Sequence, residues 1–196
     1  MVAVAAPRGT GRACDELLLR RGVPPAPADP EAARLFEELR ELGVFSPGPA
    51  AAGRPADEGT GEAVEAHPGY DVLEGAVPEG SFREAALFET NPDGIFYALQ
   101  GHQVPARRHP LGMQMRIDEL LHDQVVDQAD LWHRRIEEIE AAGAALCAHR
   151  YALGHASWLG SPEEGVIVLP GGSLPAQFMR EGVLPPVPRL ELPPLD

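Results

Sequence analysis

Two acid-histidine pairs are the residues in this chain best suited by type and spacing to do chemistry. Glu119 and His122 stand three apart, and Asp130 and His133 repeat that spacing further along. On a helix, residues three apart project from one face, which is how bundle proteins present a Glu-x-x-His pair to a metal. The two pairs are offset by about three turns, so they share a face, yet they lie roughly 16 Å apart along the axis. One helix therefore cannot close a dinuclear centre. A divalent metal would need two separate sites, or an antiparallel second copy that brings Asp130 and His133 against Glu119 and His122. The competing reading is a solvated polar face, which acidic helices produce by chance. On that reading the chain has no cofactor.

Other candidates are weaker. His102, Arg107, Arg108 and His109 precede a helix start and either hold an anion there or form an exposed basic loop. His149, Tyr151, His155 and Trp158 either line a pocket or make a partly buried edge. Cys147 lies among alanines and reads as core rather than nucleophile. The chain contains no nucleophile elbow, phosphate-binding loop, dinucleotide fingerprint or kinase set, and Pro170-Gly171-Gly172-Ser173 lacks the lysine of a phosphate cradle. The reading leans away from an enzyme.

The element that carries the acid-histidine pairs is residues 111–153, which follow Pro110 and contain no further proline. Met113, Ile117, Leu121, Val125, Ala129, Trp132, Ile136, Ile139 and Leu146 recur mostly at steps of three and four, the period of one buried helical stripe. An unbroken helix of about 43 residues would be roughly 65 Å long, more than a small domain is wide, so it must bend, break or project. Gly143 is the expected break, since glycine costs about 1 kcal/mol against alanine in a helix. Alternatively, the small residues around Gly143 let a second helix approach closely.

Earlier in the chain, residues 14–22 have acids first, arginines last and a closing glycine, the polarity of a short helix. Asp29 as cap, Pro30 in the first turn and Ala33, Leu35, Phe36, Leu39 and Leu42 before Gly43 predict a second. Its segment 32–45, AARLFEELRELGVF, is similar to the last helix and wing of winged-helix and leader-peptide-recognising domains, a common pattern that identifies no family. Residues 46–66 are rich in Pro, Ala, Gly and acid and read as a flexible linker. A short strand is expected within 70–77. Ser81 and Glu84 form a capping-box sequence that predicts a helix over 82–89, with a strand as the alternative. Asn91-Pro92-Asp93-Gly94 predicts a turn before a buried strand at 95–99, paired with a second strand at 165–169. The last residues contain five prolines, yet Leu184, Val187, Leu190, Leu192 and Leu195 give this tail an apolar side fit to bind a partner.

The fold expected is therefore α+β: one long central helix packed on a small sheet, with an N-terminal helical pair and an extended proline-rich C-terminal arm. The boundaries fall at 1–45 for the helical unit, 46–66 for the acidic linker, 67–182 for the core and 183–196 for the arm.

Composition narrows the function. A net charge of -14 disfavours nucleic acid, whose phosphates require a basic face. All 16 basic side chains are arginine, which reads as GC-rich codon usage. No apolar run is long enough to span a bilayer, no signal sequence is evident, and two isolated cysteines fit a reducing compartment, so a cytoplasmic or particle-assembled location is expected. Arms, acidity and absent motifs favour a non-catalytic structural or assembly subunit of a homomeric complex, such as a phage virion or injection-machine component from a GC-rich host. The alternatives are a peptide-recognition or adaptor module using the N-terminal helices, and a metal-dependent enzyme using the Glu/His helix face.

Overall fold

The computed structural model describes residues 2–4, 12–26, 30–41, 73–76, 87–123, 128–161 and 165–180. The linker at 46–66 and the proline-rich arm, with Leu184, Val187, Leu190, Leu192 and Leu195, lie outside the described residues. The fold is α+β. Strands β1 (Val2–Val4), β2 (Leu73–Ala76), β3 (Leu87–Glu89), β4 (Ala156–Ser161) and β5 (Gly165–Pro170) form one sheet in the order β1-β3-β5-β4-β2. β3 runs parallel to β1 and β5, whereas β4 is antiparallel to β5 and β2. Consecutive burial from Val166 to Pro170 means that both faces of β5 are covered.

Helix α1 (Ala13–Arg20) packs on β4 and β5 and sends Cys14 and Leu18 into the main core. Asp15 of its first turn accepts a bond from the Arg12 backbone amide, which closes the helix start. Helix α2 (Pro30–Glu41) packs on β3 through a separate small cluster of Phe36 and Leu87. Both helices, the strand within 70–77 and the strand at 165–170 occur as the pattern predicts. The capping-box segment resolves toward its alternative, since 87–89 is a strand; residues 81–86 are not described.

Residues 95–99 are not a strand. Helix α3 (Pro92–Gln100) begins at Asn91, whose side-chain oxygen accepts from the Gly94 amide at 2.8 Å, with Pro92 in the first turn. Asn-Pro-Asp-Gly is thus a helix cap rather than a turn: the same residues satisfy either geometry, and here the amides that need partners are helical. Gly101, at φ 75, ends the helix in a left-handed conformation that glycine adopts without strain. With 95–99 helical, β5 instead lies between β3, to which it is parallel, and β4, to which it is antiparallel, neighbours the apolar pattern alone did not indicate.

The long helix is broken, but not at Gly143. It becomes α4 (Pro110–His122), a short α5 (Gln128–Leu131) and α6 (Ile136–Ala152), so the break falls within 123–135. Gly143 lies inside α6, where a Cβ would come within 2.9 Å of the Phe96 ring. The small-residue run lets α3 approach α6 closely, as the alternative reading has it. Ion pairs explain how the halves are arranged. Arg107, just before α4, meets Glu137 and Glu140 near the start of α6, and Asp123 at the end of α4 meets Arg150 near the end of α6. The two helices therefore run side by side in the same direction. The stripe is interrupted there: Leu131 is buried, whereas Trp132 is 51% exposed. No helix among the described residues is long and apolar enough to cross a membrane.

Candidate polar cleft

A buried polar arrangement is built around Arg116, whose side chain is fully buried in α4. Its guanidinium donates to the carbonyls of Pro105 at 2.9 Å and Gly112 at 2.8 Å, pairs with Asp93 of α3, and lies 5.4 Å from the centroid of the Phe96 ring. A rigid fork of donors suits this task, since one side chain ties the loop before α4 to the start of α3. Gly112 makes the tie possible, because the loop carbonyls pass where any Cβ would stand.

The loop so held, with α3, encloses two open cavities that share Asp93 and Arg107 in their walls. The larger is about 550 Å³ and is also lined by Pro24, Tyr97, Gln103, Val104, Pro105 and Arg180. The smaller is about 280 Å³ and adds Arg108, Asn91 and Glu140. Chain segments far apart in sequence close this region. The Gln103 amide donates to the Met179 carbonyl at 2.8 Å, its backbone bridges to Arg180, and its side chain donates to the Gly22 carbonyl at 3.3 Å. Burial raises the Glu140 carboxyl above the usual carboxylate range, and the neighbouring Arg107 offsets this in part. Burial, then the charge of Asp93, raises the Tyr97 phenol, against the opposing influence of Arg116 and Arg180.

The expected metal residues are not gathered. Glu119 is partly buried in α4, its carboxyl raised by burial and by Asp123; His122 is exposed one turn on; Asp130 and His133 are exposed near α5. Asp130 instead pairs with Arg134. Among the described residues, no group of three or more His, Cys, Asp or Glu side chains could hold one metal ion. The break at 123–135 ends the shared helical face on which the spacing argument depended.

Of the basic loop, Arg107 is engaged by Glu137 and Glu140, and His109 caps α4 by accepting from the Leu111 amide at 3.2 Å. His102 contacts the Gln103 carbonyl at 3.1 Å, and Arg108 is exposed. Tyr151 is buried against Phe88, with ring centroids 4.9 Å apart, and Trp158 is buried, while His149 and His155 face outward; they form an edge rather than a pocket. Sequence reasoning missed Asp93, Tyr97, Arg116 and Arg180. One signal was present for Arg116, which stands between Met113 and Ile117 of the apolar stripe, where a charge must be paired inside.

Both thiols are inert by placement. Cys14 and Cys147 are fully buried, and burial pushes each from an ordinary value of 9.0 up to about 12. A thiol that ionises later in the folded chain leaves stability untouched below pH 9.0 and lowers it as pH rises from there to about 12. The native protein at pH 8 is expected to give no reaction with a disulfide reagent on the minutes timescale, and both thiols should titrate in guanidinium. A fast-reacting native thiol would contradict the burial.

The architecture is thus a mixed five-stranded α+β sheet carrying a polar cleft beside α3 and α4. Compared with known proteins, the chain matches no family model and has no significant match among curated proteins or solved structures.

Proposed function

We propose that the protein works by contact, as a non-catalytic assembly subunit that associates with further copies of itself in a larger complex. The observation that supports this reading is Trp132. The helical period assigns it to the buried stripe, yet it projects with half its surface exposed, next to Arg134 and Arg135. An indole left in water forgoes the hydrophobic gain of burial, and tryptophan with arginine is the composition that dominates protein interfaces. The turn 132–135, between α5 and α6, presents it outward. Isolated exposed leucines such as Leu19 and Leu153 need no such explanation.

Light scattering behind size exclusion tests this. The unaltered chain is expected to run as an oligomer, and Trp132→Ser to shift toward the monomer with an unchanged circular dichroism spectrum. A wild-type chain that stays monomeric at every accessible concentration would overturn the reading.

A further inference from the structure

We propose that the larger cavity binds a small organic anion, whose carboxylate or phosphate group is held between the Arg180 guanidinium and the Tyr97 hydroxyl. This goes beyond the assembly reading and does not depend on it. The cavity, at about 550 Å³, falls in the size range of small-molecule sites, roughly 300–1,000 Å³. It has a built polar wall. Tyr97 is only 7% exposed, its ring is held edge-on against Phe178 with centroids 5.9 Å apart, and its hydroxyl makes no hydrogen bond among the described residues. The ring is buried while the hydroxyl opens on the cavity, so its O–H is available to donate to a ligand acceptor there.

Charge selects the kind of acceptor. Three ionic side chains line this cavity, and two of them are already engaged: Arg116 holds Asp93, while Glu137 and Glu140 hold Arg107. Arg180 has no carboxylate partner among the described residues, and its charge reaches the Tyr97 phenol. In a chain of net charge -14, a cation without a carboxylate partner in a cavity wall is a local attraction for an anion. Pro24, Val104 and Pro105 supply an apolar wall for the carbon part of the ligand. Asp93 keeps acceptor capacity beyond its bond to Arg116, which favours an anion that also carries a hydroxyl group. The basic loop preceding α4 contributes Arg107 to the wall as a structural member, not as the anion's main partner.

Calorimetric titration at low salt tests the site with two probes, citrate for the carboxylate class and glycerol 3-phosphate for the phosphate class. At least one is expected to bind saturably at one per chain, and the probe that binds identifies the class. Arg180→Ala should weaken that binding about tenfold and Tyr97→Phe by a smaller factor, as expected for loss of a charged and a neutral hydrogen bond. Arg108→Ala, in the wall of the smaller cavity, should leave it within about twofold, since it removes no direct bond. Arg180 is exposed and makes no ion pair among the described residues, so its variant should keep the wild-type thermal transition. Absence of saturable binding by both probes would overturn the proposal. So would equal losses in Arg180→Ala and Arg108→Ala.

Discussion

Arg116→Met is expected to cost about 3–5 kcal/mol in urea denaturation, the largest effect of any single side-chain change among the groups discussed. The buried guanidinium answers the Asp93 carboxylate and the carbonyls of Pro105 and Gly112 at once, and methionine answers none of them. The cost arises mainly from what is left behind, a half-buried carboxylate and the Pro105 carbonyl, both without their partner. Arg116→Lys should rescue little, because an ammonium cannot spread its donors across three acceptors in a plane. Removing Asp93 as well should return part of the loss, because the unpaired charge goes with it. A single-variant loss below about 1 kcal/mol would mean that the pair behaves as a surface contact, against its burial.

Gly112→Ala is the second large effect. An added Cβ would stand 2.4 Å from the carbonyl oxygens of both Pro105 and Ala106, and 2.9 Å from the Pro105 carbonyl carbon. All three are backbone atoms, so no rotamer change relieves the overlap, and the loop that Arg116 anchors must move. Alanine's higher helix propensity returns about 1 kcal/mol, yet overpacking against fixed atoms should leave a net loss of about 2–3 kcal/mol. In thermal unfolding this corresponds to a fall of roughly 5–10 °C for a chain of this size. Gly101→Ala is the control, because nothing lies within 4 Å of its added Cβ and only the left-handed backbone is strained, at about 1–2 kcal/mol. If the two variants lose the same stability, steric contact with the loop is not what fixes glycine at 112. The same comparison bears on the cleft, since Pro105 and Ala106 line the larger cavity.

By itself the sequence determined the elements whose evidence is local. Helices α1 and α2 follow from end charges, a first-turn proline and apolar spacing, and β5 from a run of Val, Ile and Leu bounded by glycines. Each signal lies within a few residues of the element it specifies, so no distant contact is needed to read it. The α+β class followed from the same signals. Tertiary structure alone decided three matters. Residues 95–99 are apolar enough for either a buried strand or a buried helix, and their packing between β5 and α6 selects the helix. The break in the long helix was assigned to Gly143 by propensity, yet contact with Phe96 keeps Gly143 helical, and ion pairs at both ends of α4 and α6 place the break at 123–135. The cleft joins Gly22, Asp93, Tyr97, Arg116 and Arg180, which no short-range pattern relates. The acid-histidine face was legible because helical spacing is local, and it came apart because its coherence required one unbroken helix. Local spacing specifies which side of an element a residue occupies; only the packing of elements specifies what stands opposite it.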